Sequence, residues 1–482
     1  MEWTKILFHN SAEPFLFHNG FFLFIFSLFL IFYGFIFKKI RWRDLAIILF
    51  GFYFYYKCSG IFILLLVLSL SADYLFSIWM CHNNKQNQKK AILILGILFS
   101  LSFLIYFKYR NFFLENYHNI RGENYNLTHL ILPIGISFYT FQSISYLVDV
   151  YQNKLKPSGY KNYLLYMTFF PHLVAGPIVR AKDFLPQIKK KTILNKAKIN
   201  EALYLIIKGL IKKAIIADFI GQYADSVFST PNGFTGGEHL VSVLCYSLQI
   251  FCDFSGYTDM AIGIALLLGF RLRINFDSPY KALNITNFWR RWHISLSSWL
   301  RDYIYIPMGG NRKGLILQLL FLLLTMLIGG FWHGANWKFV FWGAGHGLLL
   351  VFHKLIVLKF PKKTEKIPLK ILFWTITFVC VCLLWVPFRA ETMNDALIIY
   401  KKLFTNMDFH YFPAIFRTNT LLIVLLIFGF VATLFPNKLK DFIKMKFYET
   451  DLIFKIFFLG IVIQMFLQIK SSSVQPFIYF QF

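Results

Sequence analysis

Apolar runs separated by short basic clusters repeat along this chain. The run 20–37, for example, stops at Lys38-Lys39-Ile40-Arg41-Trp42-Arg43. A helix needs about 20 apolar residues to cross the hydrocarbon core, so each such run predicts a span. Helices are expected over 20–37, 44–56, 61–79, 91–107, 128–148, 202–227, 239–270, 315–328, 337–352, 369–386, 420–435 and 452–467. That is about 12 crossings in one all-α domain, residues 1–482. Basic clusters at 38–43, 85–90, 182–198, 354–366 and 438–446 fall at alternate turns. The charge rule places them in the cytoplasm and therefore puts both termini outside.

Several stretches break the pattern. Residues 1–19, with Phe8, Phe15, Leu16 and Phe17 among polar neighbours, fit a segment lying in the membrane interface. The run 128–148 carries Pro133, Gly135, Ser137, Thr140, Gln142 and Ser145, the composition of a helix packed inside protein or lining a cavity. Pro171-His172 followed by Gly176-Pro177 interrupts 163–180 and predicts a re-entrant or interfacial element. Lys208, Lys212, Lys213 and Asp218 enter one span; Asp253, Ser255, Thr258 and Asp259 enter another. Buried bonding between helices and a place on a substrate path both account for them. From 271 to 312 the chain is too polar to span and too aromatic for a solvent loop, so helices at the cytoplasmic interface are expected.

Composition sharpens this in two respects. The 482 residues are 57% hydrophobic and 20% aromatic, which fits a polytopic membrane protein. The formal net charge of +27 would suit nucleic acid, but Lys and Arg sit in short clusters between apolar runs. That distribution argues against nucleic-acid binding and for anionic lipid headgroups or an acidic cytosolic partner. The six cysteines show no metal-ligand spacing, and no glycine loop with lysine and serine proposes a nucleotide; no metal site is expected.

The candidate chemistry lies between Trp289 and His346. One motif reads Phe288-Trp289-Arg290-Arg291-Trp292-His293, and the other Gly329-Gly330-Phe331-Trp332-His333-Gly334-Ala335-Asn336-Trp337. Ionisable groups beside membrane-depth sequence are costly and mark functional candidates. A neutral imidazole can take a proton from a hydroxyl or thiol nucleophile as an acyl group moves, which makes His333, set among small residues, the candidate base. His293 lies beside Arg290 and Arg291, a setting for an anionic donor; Trp289 and Asn336 join the arginines as candidate donor-binding residues. Interface anchoring would equally explain tryptophan and histidine here. His172 and His346 are weaker candidates for lining a cavity.

The chain resembles the membrane-bound O-acyltransferase superfamily, in the bacterial branch that modifies alginate, peptidoglycan and teichoic acids. The likeness rests on Pro133-Ile134-Gly135-Ile136-Ser137-Phe138-Tyr139-Thr140-Phe141-Gln142, Phe170-Pro171-His172-Leu173-Val174-Ala175-Gly176-Pro177-Ile178, and Asp253-Phe254-Ser255-Gly256-Tyr257-Thr258-Asp259. It continues through Phe288-Trp289-Arg290-Arg291-Trp292-His293-Ile294-Ser295-Leu296, Tyr303-Ile304-Tyr305-Ile306-Pro307-Met308-Gly309-Gly310 and Gly330-Phe331-Trp332-His333-Gly334. The resemblance implies an all-α bundle with re-entrant or interfacial helices around a central tunnel, in the bacterial cytoplasmic membrane. It implies His333 as the catalytic histidine and His293 as the second functional one. A cytosolic thioester would be the donor, acetyl-CoA in preference to a D-alanyl carrier protein, and no cofactor would be bound permanently. The acceptor would be an exported or cell-wall polysaccharide, peptidoglycan or alginate-like, reached through a periplasmic esterase-like acyltransferase partner. The tail 471–482 would lie outside, with Tyr479 as a candidate acyl relay. A transporter or flippase of a polysaccharide precursor is the rival class.

Overall fold

The computed structural model describes residues 6–10, 15–128, 130–360 and 366–469, with side chains to 465. Among these every regular element is a helix. Six helical stretches are long and apolar enough to cross a membrane: Ile40–His82, Gln86–Arg121, Gly236–Leu267, Leu315–His333, Trp337–Lys359 and Ile367–Arg389. A seventh arises if Phe412–Thr418 and Thr420–Leu434, bent by 95° at their junction, form one broken span. Gly20–Ile36 has 17 residues, about 26 Å at 1.5 Å each, a little short of the hydrocarbon core. Only 22–39% of the apolar window is buried in five of the six, so they turn most of their apolar surface outward, as lipid contact requires. Gly236–Leu267 is the exception at 89% buried.

The chain divides into two compact units, 1–206 with 260–273, and 207–259 with 274–482. In the first, Phe170 sits among Phe17, Phe22, Phe26, Phe50 and Phe54 with ring centroids 4.9–6.4 Å away. Of the apolar residues in the segment read as interfacial, Phe8 is exposed, whereas Phe15, Leu16 and Phe17 are buried within the protein. Their clustered aromatic area finds more partners inside the bundle than a headgroup region offers. Gly135 adopts φ +78°, and a Cβ there would lie 2.9 Å from the Leu173 carbonyl oxygen. Only glycine lets the two broken segments meet so closely. The helix that follows, Ile136–Tyr151, is buried without interruption from Ile136 to Leu147, as its small and polar residues predicted. Arg43, read from sequence as one of a cytoplasmic cluster, is 1% exposed. It pairs with Asp44 at 2.7 Å and donates to the carbonyls of Ile188 and Lys190.

In the second unit the polar interruptions of two apolar stretches pair with one another. Lys213 bridges Asp218 at 2.7 Å and Asp253 at 2.5 Å, while Lys208 and Lys212 meet Asp259 at 3.1 and 2.8 Å. Of the two roles the sequence left open, these contacts supply the bond between helices. Such a pair stabilises little over an apolar substitute, yet removing one partner alone costs about 3–5 kcal/mol.

Candidate functional site

The helix Leu315–His333 ends where Gly334 swings into extended backbone at φ −165°. Asn336 then caps the next helix, Trp337–Lys359, its side-chain oxygen accepting from the Lys338 N–H at 3.0 Å. The two helices can pack backbone to backbone because glycines face each other. A Cβ on Gly330 would strike the Phe339 carbonyl oxygen, and one on Gly343 would lie 2.5 Å from that of Met326. This tight hairpin fixes His333, 4% exposed, at its closed end. Aromatic rings hold the imidazole in place: Trp332 and Trp342 lie 5.0 Å away and Phe388, from helix Ile367–Arg389, 5.2 Å.

His293 is held differently. It occupies the left-handed region at φ +41°, just before the short helix Ile294–Leu300. Strain of this kind costs about 1–3 kcal/mol and persists only where the surroundings impose it. Asn275 supplies the restraint. Its backbone oxygen accepts from the Ile294 N–H at 2.9 Å, and its Oδ1 accepts from the Ser295 N–H at 3.0 Å. A backbone N–H can only donate, so the amide orientation is settled. A proton on the His293 Nδ1 satisfies its 3.2 Å contact with the same Oδ1, the shorter of its contacts there, with the Ser295 Oγ at 3.4 Å. In that tautomer Nε2 bears the lone pair. Burial holds this imidazole far below its usual value, to about 3, so it is neutral at physiological pH. Phe254 closes one side at 4.6 Å, and Trp332 touches His293 at 6.4 Å as well as His333, joining the two motifs.

The remaining predicted residues have distinct settings. Arg290 is exposed. Arg291 is a strap, donating from Nε to Asn287 Oδ1 at 2.9 Å and from a terminal nitrogen to the Asp277 carbonyl at 3.0 Å. Trp289 turns into the interior beside Trp342 and His346, at 5.8 and 5.1 Å. Asn336 is exposed and occupied as a helix cap. Tyr479 and the tail 471–482 lie outside the described residues. Asn275 was missed by sequence reasoning; a lone amide between Ile274 and Phe276 was the available signal.

Both histidine motifs lie within residues 48–364, which match the model of the membrane-bound O-acyltransferase family. The peptidoglycan O-acetyltransferase of Helicobacter pylori is 40% identical over 391 residues, 76% of this chain and 74% of its own length. A probable alginate O-acetylase of Pseudomonas aeruginosa is 44% identical over 319 residues, covering 65% of this chain and 60% of its own length. A teichoic acid D-alanyltransferase of Bacillus subtilis is 32% identical over 273 residues, 52% of this chain and 67% of its own. The chain thus spans under two-thirds of the alginate relative. With a family match over more than half its length, across the very turns that hold His293 and His333, the chain belongs to the membrane-bound O-acyltransferase family.

Proposed function

We propose that this protein takes an acetyl group from cytosolic acetyl-CoA and delivers it through the bacterial cytoplasmic membrane for O-acetylation of an exported or cell-wall polysaccharide. The observation that carries the reading is the His333 turn: an imidazole buried at the closed end of a glycine-packed helical hairpin, within the family segment. His333 accepts the proton of an attacking hydroxyl while its oxygen forms a bond to the acyl carbon. The carbon–sulfur bond then breaks, and the departing thiolate recovers that proton from the imidazolium. His293, neutral and oriented by Asn275, positions the donor or acceptor through Nε2. Arg290 and Arg291 offer positive charge to the phosphates of the coenzyme, with Trp289 and Asn336 as further candidates for donor binding.

The tunnel architecture, about 12 spans, one catalytic domain over 1–482 and both termini outside belong to the same reading. So does a periplasmic esterase-like acyltransferase partner that completes transfer to the glycan. Tyr479 would be the relay, accepting the acetyl group on its phenol and passing it on. A phenol is a poor nucleophile at neutral pH unless a base removes its proton, which His333 would do. Y479F keeps the ring and deletes the nucleophile. Transfer to the glycan should be lost with thioester binding intact, and full activity would remove the relay.

D-alanyl transfer is the second reading, supported by the 32% identical Bacillus subtilis relative. Purified protein given labelled acetyl-CoA, or separately a D-alanyl-charged carrier protein, decides between them by which thioester is consumed. Movement of unmodified glycan with neither consumed would favour a transporter.

A further inference from the structure

Buried polar atoms in folded proteins nearly always find hydrogen-bond partners, and each exception costs about 1–3 kcal/mol. In the second unit four such exceptions fall on three touching side chains. Both ring nitrogens of His346 and the indole N–H groups of Trp289 and Trp342 are buried without a protein partner among the described residues. His346 lies 4.7 Å from Trp342 and 5.1 Å from Trp289, and the two indoles are 5.8 Å apart. The three are 0%, 1% and 8% exposed. Phe288 stacks on His346 at 6.1 Å and Trp385 approaches at 6.4 Å, so these further ring neighbours are also aromatic and uncharged.

Apolar packing alone does not call for these nitrogens, since each adds a buried polar atom that contributes nothing to ring packing and carries that cost. An indole N–H is a donor only, and a neutral imidazole brings one donor and one acceptor. The cluster therefore offers three donors against one acceptor. A ligand that carries a full charge in water would have to shed its hydration to enter among uncharged rings, which disfavours a permanent anion as the resting occupant. A neutral group that accepts strongly, such as a carbonyl oxygen, fits. The position is telling as well: Trp342 touches His346 on one side and His333, at 5.0 Å, on the other.

We propose that His346, Trp289 and Trp342 form a donor pocket for the carbonyl oxygen of the acyl thioester, presenting the acyl carbon to His333. This rests on the acyl-transfer reading above. As the hydroxyl attacks, negative charge builds on that oxygen, and preset donors in a water-poor site stabilise it more than the ground-state carbonyl. His346 and the two tryptophans thus bind substrate, while His333 moves the proton.

The test compares acetyl-CoA with S-ethyl-CoA, which has nearly the same size and replaces the carbonyl by a methylene. Full-length protein in lipid nanodiscs should bind acetyl-CoA about tenfold more tightly. His346→Phe, Trp289→Phe and Trp342→Phe keep an aromatic ring and delete the nitrogens. Each should bring the affinity ratio toward one, leave S-ethyl-CoA binding unchanged and lower kcat by about 10²–10³-fold, the usual loss for one such donor. His346→Gln, which restores a donor and an acceptor, should recover part of the ratio. An unchanged ratio with near-normal turnover in all three variants overturns the pocket. Equal loss of both ligands with a lowered Tm also overturns it, and leaves these nitrogens a structural or water-binding role. If the wild-type protein neither binds nor consumes acetyl-CoA, the acetyl-transfer reading fails and the pocket falls with it.

Discussion

The two histidine turns of the second unit are secured by opposite means. His293 is held by hydrogen bonds and backbone strain: φ +41°, with Asn275 bonding both the ring and the following N–H groups. His333 is held by shape, through glycines that bring two helices into backbone contact and a surround of Trp332, Trp342 and Phe388. The first arrangement favours a proton on Nδ1, which suits orientation. The second confines the ring through the close packing of helix backbones and aromatic side chains around it. On the acyl-transfer reading proposed above, this contrast matches a division of labour between positioning by His293 and proton transfer by His333.

The contrast breaks most clearly at His333. H333A should reduce thioester consumption by about 10²–10⁴-fold, the range for a lost general base, with unchanged membrane insertion. Turnover within threefold of wild type would move the proton transfer elsewhere. Asn275 should matter less and in a different manner. N275A strands a buried N–H and releases the imidazole, so we expect both a lower Tm and a rate loss of about 10–100-fold, by analogy with the loss of ligand-orienting partners at other sites. N275D keeps an acceptor for both groups and should recover most of the loss. If N275A lowers Tm but not the rate, Asn275 merely supports the fold.

The shape-held turn has its own test. G343A places a methyl 2.5 Å from the Met326 carbonyl oxygen, where only backbone movement relieves the clash. Overpacking of this sort costs about 1–3 kcal/mol, read as a fall in Tm. At Gly460, where a Cβ would meet nothing within 4 Å, the same substitution should leave Tm nearly unchanged.

Much of this was legible in the residues. Apolar runs and small-residue motifs announced membrane helices and a buried segment at Ile136–Tyr151, because those signals depend on local composition. Lys213 and Asp253 could be flagged as out of place, but their partnership joins distant segments, and no periodicity records it. The same limit applied to the site. His333 and His293 stood out by residue type and neighbours, whereas Asn275 acts through a contact 18 positions away. The burial of Phe15 to Phe17 was not legible, because amphipathic composition does not distinguish a headgroup region from a pocket of phenylalanines. The grouping of His346 with Trp289 depends on helices meeting in space, which the sequence does not display.

The smallest expected effects lie in the adjacent arginines, which sequence treats as equivalent and structure separates. Arg291 is half-buried and committed to Asn287 and the Asp277 carbonyl, with the Asp277 carboxylate 3.4 Å away. Arg290 is exposed and offers its charge to water or to a ligand. An exposed ion pair contributes only about 0–1 kcal/mol, so loss of the Arg291 carboxylate contact alone should hardly register. Its hydrogen bonds tie the His293 motif to Asn287 and to the Asp277 carbonyl, and R291A should therefore show a slightly lower Tm with a modest fall in kcat. R290A should leave Tm and kcat alone and raise KM for acetyl-CoA a few-fold. That increase should shrink as salt is added, because exposed charges are screened beyond about 8 Å at physiological ionic strength. An identical KM in R290A at low and high salt would take Arg290 out of donor binding. A KM effect confined to R291A would instead mean that orientation of the His293 turn governs donor affinity.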